Sequence, residues 1–264
     1  MELKNPYVPK FVKIEKIFRE TGTTATFRIK HPSDFNPGMF VILSELGIGE
    51  TPIQISSYNP DFMDLCIQGD GKVTKKVLEM KEGQKIGLRG PYGHGYPMKQ
   101  FLYKNLLIIG DGLSVGPIRG VIEYVSGNSK DFKDITIFLA FSSPSDVLFK
   151  KEINKWKDTY NVSTTVDNPD DKWNGYTGSI SELLEKSELK KDNSIVITSC
   201  SHKIAKPVID VLKKAGFEDS QIYMLLKRQI RCGIGKCGHC IIQNKYVCRD
   251  GPVFCYEESK NLKD

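Results

Sequence analysis

The chain has 264 residues, of which 39% are hydrophobic and 27% are charged. This length and composition predict about two globular domains of roughly 100 to 200 residues each, and they exclude a disordered, collagen-like or coiled-coil protein. The formal net charge is +6; the basic residues are interpreted as mixed with Asp and Glu along the chain instead of forming blocks, so no nucleic-acid partner is expected.

The chain has no segment that resembles a membrane span. The longest apolar runs are short, such as residues 106–109, whereas a membrane helix needs roughly 20 apolar residues. Residues 1–6 contain no apolar core followed by a cleavage site, which predicts that no secretory signal is present. A cytoplasmic location and no membrane span are therefore expected.

The first part of the chain is predicted to be a small antiparallel β-barrel. Short strands are predicted at 11–17, 24–29, 39–43, 53–57 and 64–68, with turns at Asn36-Pro37-Gly38 and Asn59-Pro60. Strands at this spacing are typical of a barrel. A helix is predicted over 73–80, and the segment Gly71-Lys72-Val73-Thr74 that opens it could bind a pyrophosphate through free N–H groups, although an ordinary helix start is the simpler interpretation.

From residue 106 the pattern changes to alternating strands and helices. Strands are predicted at 106–109, 135–141, 160–166 and 194–198, and helices at 118–125, 148–155, 181–186 and 205–215. This alternation predicts an α/β domain with a parallel sheet. Ser179 and Glu182 have the spacing of a capping box at a helix start.

A glycine-rich turn follows the first of these strands. In an α/β sheet, the turn between a strand and the next helix is a common site for a nucleotide phosphate, which makes Gly110 and Gly112 candidate contacts. The turn lacks the G-x-G-x-x-G spacing, and Asp111 places a negative charge in it.

Five of the seven Cys residues fall in the last 33 residues, in a tail too short and polar to form a core of its own. In a reducing compartment this clustering predicts metal ligation, not disulfides. The spacing C-x4-C-x2-C, with a fourth Cys after seven more residues, matches a loop around a 2Fe-2S cluster. A structural zinc site is the alternative, although two separated Cys-x2-Cys pairs are absent from the sequence. The predicted ligands are Cys232, Cys237, Cys240 and Cys248, whereas His239 and Cys255 are predicted not to be ligands.

The order of barrel, α/β sheet and Cys-rich tail resembles the ferredoxin-NADP reductase superfamily, in the branch with a C-terminal 2Fe-2S domain. The motifs at 49–57, 71–74, 89–97 and 236–254 are most similar to those of the B-type subunit of anaerobic sulfite reductases. The gamma subunit of cytoplasmic NiFe hydrogenases and the electron-transfer subunit of dihydroorotate dehydrogenase share many of them, and Asn5-Pro6-Tyr7-Val8-Pro9 favours the hydrogenase relatives.

The resemblance implies a division into three domains. These are an FAD-binding barrel at 1–102, an NAD(P)-binding-like α/β domain at 103–226 and a 2Fe-2S cluster domain at 227–264. It also implies two groups of FAD contacts, with Pro52, Ile53, Gln54, Ile55, Ser56 and Ser57 along the isoalloxazine and ribityl, and Gly71, Lys72, Val73 and Thr74 at the pyrophosphate.

The implied function is that of an electron-transfer subunit that passes electrons between NAD(P)H and a partner reductase, with an anaerobic sulfite reductase as the first choice. The expected partners, in a hetero-oligomer, are a catalytic reductase or hydrogenase subunit and iron–sulfur electron carriers.

Some positions depart from the family pattern. In the flavin segment, Thr51 and Gln54 stand where the family often has Arg and Ser, so an arginine anchor for the phosphate is missing. Asp111, Ser201 and Lys227 replace a glycine, a glycine and an acidic residue on the nicotinamide side, which predicts weaker nicotinamide binding. Two alternatives follow: an electron-transfer module fed by a ferredoxin or a partner protein after loss of nicotinamide binding, and a zinc-stabilised scaffold.

Overall fold

The computed structural model describes residues 5–30 and 34–262. The prediction that the chain lacks a secretory signal rests partly on residues 1–4, which lie outside the described residues. In the described part of the chain, no helix is long and apolar enough to cross a membrane.

The first sheet consists of six antiparallel strands in the order β4-β3-β6-β1-β2-β5. A bridge between Ile55 and Leu65 connects the chain just after β4 to β5, so the two edges of the sheet meet and close a barrel. The buried side chains inside it include Ile14, Phe27 and Val41. The predicted antiparallel barrel is confirmed. Its elements are β1 Lys10–Arg19, β2 Thr24–Ile29, β3 Phe40–Glu45, β4 Gly49–Gln54, β5 Met63–Gln68, α1 Lys72–Leu78 and β6 Lys85–Tyr92.

Two barrel strands differ from the sequence predictions. β4 begins and ends several residues before the predicted strand at 53–57, and no bounds were predicted for β6. β4 contains Pro52 and leaves its first two residues exposed, so it has no alternating apolar pattern. β6 contains two glycines and Pro91, residues that are depleted in strands. Both strands are specified by pairing with β3, which local sequence does not reveal.

The second sheet has seven strands in the order β10-β9-β8-β7-β11-β12-β15, where β15 is Val253–Cys255. All neighbouring pairs are parallel except β12 with β15. Helices α2 and α3 pack on one face, and α4 and α5 pack on the other. The predicted α/β sheet is therefore confirmed. Its elements are β7 Asn105–Asp111, α2 Val115–Gly127, β8 Ile135–Phe141, α3 Lys150–Lys157, β9 Asn161–Val166, β10 Tyr176–Thr177, α4 Ile180–Glu185, β11 Ser194–Ser199, α5 His202–Lys214 and β12 Ile222–Leu225.

The Cys-rich tail is built into both sheets. Strand β15 adds to the edge of the second sheet, with Phe254 opposite Met224. Ile230, Ile242 and Phe254 pack with Phe40 and other buried side chains of the barrel. The tail therefore shares its core with the barrel, and the predicted domain boundaries at 102 and 226 stay predictions. Its elements are β13 Ile241–Ile242, β14 Lys245–Tyr246, α6 Val247–Asp250, β15 Val253–Cys255 and α7 Tyr256–Ser259.

Candidate functional site

A narrow cleft of about 130 Å³ lies where the barrel meets the carboxyl ends of the parallel strands. Ligands of open α/β sheets bind at this edge. A larger cavity of about 680 Å³ lies at the opposite edge, beside the first residues of β7, β8 and β9, where such sheets do not bind ligands. The narrow cleft is lined by Thr51, Pro52, Ile53, Gln54, Cys66, Gln68, Asp70, Thr74, Leu113, Gly116, Pro117 and Lys227.

The predicted flavin segment is divided by the structure. Pro52, Ile53 and Gln54 are half-buried and line the cleft. Ile55, Ser56 and Ser57 are fully buried. The Ser56 hydroxyl donates to the Asp64 carbonyl at 2.9 Å, and the Ser57 hydroxyl accepts from the Asp64 N–H at 2.8 Å. The first three residues can face a flavin. The last three are buried, and the two serines among them hold the chain against β5 through the Asp64 backbone.

The predicted pyrophosphate segment opens helix α1 beside the cleft. The Thr74 hydroxyl accepts from the Gly71 N–H at 2.9 Å and donates to Asp70 Oδ1 at 3.0 Å. By helix geometry, the N–H groups of Lys72, Val73 and Thr74 have no acceptor within the helix. They are available to an anion, whereas the Thr74 hydroxyl is engaged. The Asp70 carboxylate opposes an anion here, and no motif in the sequence identified it.

The turn after β7 contains the two predicted nucleotide glycines. Gly112 has φ +49°, and apart from its two chain neighbours no atom of the described residues lies within 4 Å of the place where its Cβ would be. A Cβ on Gly110 would lie 3.1 Å from Ile118 Cγ1. Gly112 therefore exposes backbone at the edge of the sheet, while Gly110 allows α2 to pack closely on β7.

Asp111 has a partner that sequence reasoning missed. Its Oδ1 accepts a hydrogen bond from the Ser201 N–H at 2.6 Å, at the start of α5. The carboxylate therefore caps a free N–H of that helix and links the ends of β7 and β11. The sequence separation of 90 residues gave no sign of this contact.

Lys227 lines the cleft beside the nucleotide turn. Its ammonium donates to Ser114 Oγ at 2.5 Å. Removal of water by the surrounding protein lowers the pKa of Lys227. Electrostatic interaction with Asp111 and Cys200 acts in the opposite direction but is the smaller effect. Burial also raises the pKa of the Cys66 and Cys200 thiols to about 12, so both are unreactive at neutral pH.

Backbone N–H groups of the four-Cys loop point at thiol sulfurs. Cys232 Sγ accepts from Ile234 at 3.5 Å and from Lys236 at 3.4 Å. Cys248 Sγ accepts from the Gly235 N–H at 3.1 Å, and the Cys248 N–H donates to Cys240 Sγ at 3.4 Å. Such donors stabilise negative charge on sulfur, as an iron–sulfur cluster requires.

The surroundings of two of the four thiols shift their pKa values in opposite directions. Burial raises the pKa of Cys232, but the N–H groups of Ile234, Lys236 and Cys237 and contact with the Cys237 thiol outweigh it and lower the pKa to about 6. Burial and the adjacent Cys240 thiol raise the pKa of Cys248 to about 12.

Across residues 5–30 and 34–262, no three His, Cys or acidic side chains converge closely enough to hold one metal ion.

The exposure of the ligand candidates differs. Cys237 is exposed, and the other three Cys residues of the loop are buried. Cys255 lies on β15 with its sulfur 3.6 Å from the Asp219 carbonyl, and the His239 ring lies 3.2 Å from Gln229 Oε1. That neither residue is a ligand stays a prediction.

Two family models match parts of the chain. Residues 108–205 match the oxidoreductase NAD-binding domain, and residues 227–260 match the iron-sulfur cluster binding domain of dihydroorotate dehydrogenase B.

Two curated relatives match almost the whole chain. The chain is 35% identical to the sulfhydrogenase 1 subunit gamma of Pyrococcus furiosus, over 96% of this chain and 92% of that protein. It is 30% identical to the probable dihydroorotate dehydrogenase B electron transfer subunit of Methanocaldococcus jannaschii, over 97% and 93%. Among solved structures, an NADH-dependent reduced ferredoxin-NADP oxidoreductase has the same fold, with a TM-score of 0.79 and 22% identity over 94% of this chain and 88% of that one.

Proposed function

Because the chain belongs to the family of the sulfhydrogenase gamma subunits and the dihydroorotate dehydrogenase B electron transfer subunits, we propose that it carries FAD and a 2Fe-2S cluster and passes electrons between NAD(P)H and a catalytic partner subunit. The observation that carries this proposal is that the four-Cys loop packs directly on strands of the barrel. A Cβ on Gly233 would lie 2.8 Å from the Tyr92 ring and 3.4 Å from Ile42 Cγ1. The cluster loop and the flavin segment are thus built on one set of strands.

Different residues around the cleft would bind different parts of FAD and of a nicotinamide dinucleotide. When bound, FAD accepts two electrons together and releases them singly, which links a hydride donor to a one-electron cluster. Pro52, Ile53 and Gln54 would lie along the ring, and the free N–H groups of α1 would bind the pyrophosphate. Gly112 would let a nicotinamide dinucleotide approach the backbone.

The partner is proposed to be the catalytic subunit of a hydrogenase-type complex. The sulfhydrogenase gamma subunit is the more similar of the two curated relatives, and its alignment spans nearly both chains. The sulfite reductase partner, predicted from the sequence motifs, stays a prediction, and a dihydroorotate dehydrogenase is a further option. In each case the terminal reaction takes place on another polypeptide, and this chain works in a hetero-oligomer.

One observation favours a second candidate, in which a ferredoxin or partner protein supplies the electrons. The Asp111 carboxylate lies at the nucleotide turn and occupies the Ser201 N–H at the start of α5. A dinucleotide phosphate would lose that donor and meet a negative charge.

An anaerobic absorption spectrum, with flavin, iron and sulfide measured on the same sample, tests both candidates. Bleaching of the flavin and cluster bands by NADH or NADPH supports the main proposal. Bleaching by reduced ferredoxin but not by either nicotinamide replaces it with the second. A colourless protein that contains zinc would overturn both.

A further inference from the structure

Arg89 of β6 connects the flavin strand to the cluster loop. Its side chain is 3% exposed. Nε and Nη2 donate to the two carboxylate oxygens of Glu50 at 3.2 and 2.6 Å. Nη1 donates to the carbonyl of Cys232 at 3.0 Å. Because Glu50 lies on β4 two residues before Pro52, one guanidinium joins the flavin segment to the backbone of a cluster ligand.

Further contacts fix the orientation of this ion pair. Nη2 of Arg89 lies 3.5 Å from the carbonyl of Arg231, and Nη1 lies 3.4 Å from that of Pro6. The Ser44 hydroxyl donates to Glu50 Oε1 at 2.6 Å. A planar guanidinium with five donors can hold a carboxylate and several carbonyls at once, and a lysine ammonium cannot reproduce that geometry.

The two charges of the pair lie at different distances from the cluster loop. The buried guanidinium contacts the Cys232 backbone directly, whereas the Glu50 carboxylate lies on the far side of it and is 40% exposed. Reduction adds one negative charge to an iron–sulfur cluster, and nearby charges and hydrogen bonds set its potential. A positive charge beside the loop favours the reduced cluster, and a negative charge opposes it.

We propose that the Arg89–Glu50 pair positions the cluster loop on the flavin strand and sets the midpoint potential of the cluster. The inference rests on the proposed function, because it requires the cluster to be bound at Cys232, Cys237, Cys240 and Cys248. Arg89 is a positioning residue here, since it acts through the Cys232 backbone. Nothing in the sequence motifs assigns it this role.

The two members of the pair should shift the potential in opposite directions. Glu50→Gln keeps an oxygen that accepts the hydrogen bond of the Ser44 hydroxyl, but it removes a negative charge. The midpoint potential of the cluster should therefore rise. Arg89→Gln removes the positive charge and leaves Glu50 behind, so it should fall. Arg89→Lys keeps the positive charge but loses the planar set of hydrogen-bond donors. The midpoint potential of the cluster should therefore stay near that of the unchanged protein, while electron transfer from flavin to cluster slows.

The experiment is a redox titration of the full chain followed by the electron paramagnetic resonance signal of the cluster, with iron and sulfide measured in each variant. Asp134→Asn is the matched control, because Asp134 forms an exposed ion pair with Lys190 at the opposite edge of the sheet. It should leave the potential unchanged. If the variants of the buried Arg89 fail to fold, Glu50→Gln still tests the inference, because Glu50 is partly exposed.

The outcomes separate this inference from the proposed function. Opposite shifts in the Glu50 and Arg89 variants support it. If the Glu50 variant holds a full cluster and its potential does not rise, the inference is overturned while the proposed function stands. A wild-type chain without iron would overturn the proposed function and this inference with it.

Discussion

Each of the four thiols in the cluster loop has a different local environment. Cys232 receives N–H groups from its own loop, Cys248 receives one from Gly235, and Cys237 is exposed. The spacing in the sequence predicts these four residues as cluster ligands, and that assignment stays a prediction. The contacts of Cys248 required the structure, because they depend on how α6 brings Cys248 back to the loop, where its sulfur accepts from the Gly235 N–H and its own N–H donates to Cys240 Sγ.

Replacing Cys248 by Ser should reduce iron and sulfide per chain to a small fraction of the unchanged value, because a 2Fe-2S cluster needs four sulfur ligands. Iron and sulfide analysis of protein purified without oxygen measures the loss. Cys255→Ser is the matched control and should retain the full content, because its sulfur lies at the Asp219 carbonyl. Full occupancy in Cys248→Ser would refute the ligand assignment.

Asp111 acts in two ways, and one substitution can separate them. Asp111→Asn keeps an acceptor for the Ser201 N–H but removes the charge that would oppose a nucleotide phosphate at the proposed site. A charge at a helix end is worth about 0.3 to 1 kcal/mol, so the apparent KM for NADH or NADPH in flavin bleaching should fall about two- to fivefold. Stopped-flow absorbance at several nicotinamide concentrations gives this value.

Asp111→Ala is the control for the hydrogen bond. It removes the acceptor as well as the charge and should lower the free energy of unfolding by about 1 kcal/mol, as loss of a helix cap does. An unchanged KM in the Asn variant would show that the turn does not meet the phosphates.

Among the helices and strands, those with a local sequence pattern were predicted correctly, and those defined by distant pairing were not. The capping box at α4 is present as predicted, with the Ser179 hydroxyl accepting from the Glu182 N–H at 3.3 Å and Glu182 Oε2 accepting from the Ser179 N–H at 2.8 Å. Strand β2 also has its predicted bounds, because its apolar residues Ala25, Phe27 and Ile29 alternate with polar ones, which is the local pattern of a strand. Strand β15 was missed, since its three residues are specified by pairing with β12 and not by any local pattern.

The same limit applied to the contact between the barrel and α2. Arg119 of α2 donates to the Ser56 carbonyl at 2.7 Å and to Asp64 Oδ2 at 3.1 Å, and it pairs with Glu123 at 2.9 Å. Asp64 is fully buried and also pairs with Arg28. A buried arginine within a helix gives no local signal of the carboxylates around it, yet this group fixes the second sheet to the barrel.

Arg119→Met should lower the free energy of unfolding by about 3 kcal/mol, because it leaves the buried Asp64 carboxylate with one partner and breaks the contact with the Ser56 carbonyl. Urea unfolding followed by circular dichroism, on protein of equal flavin and iron content, measures the change. Lys206→Met removes an exposed helix ion pair with Asp210 and should have no measurable effect. Equal stability of the two variants would show that the network does not hold the sheets together.

At the scale of the whole molecule, the excess positive charge is concentrated at the cluster. Residues 227–249 contain six Lys or Arg and no Asp or Glu, and the formal net charge of the whole chain is +6. The rest of the chain is therefore balanced. The sequence prediction of evenly mixed charge was wrong for this segment, because it considered the chain as a whole and not the surface around each motif.

This charge surrounds the exposed ligand candidate. Arg231, which directly precedes Cys232, and Lys236, which directly precedes the exposed Cys237, are both exposed. Within the described residues, the side chains of Arg231 and Lys236 form no ion pair. A surface of one sign increases the rate at which a partner of the opposite sign associates, and salt weakens this effect over about 10 Å.

Electron transfer from this chain to a small acidic iron–sulfur protein should therefore slow as salt is raised. The double variant Arg231→Glu with Lys236→Glu should lower the second-order rate constant about tenfold at low salt and flatten its salt dependence, because the local field is reversed. Stopped-flow reduction of the acceptor at several ionic strengths measures both quantities. Lys130→Glu with Lys133→Glu makes the same charge change at the opposite edge of the sheet and should keep most of the wild-type salt dependence. If the two double variants slow the reaction equally, net charge and not the cluster face governs association, and the partner docks elsewhere.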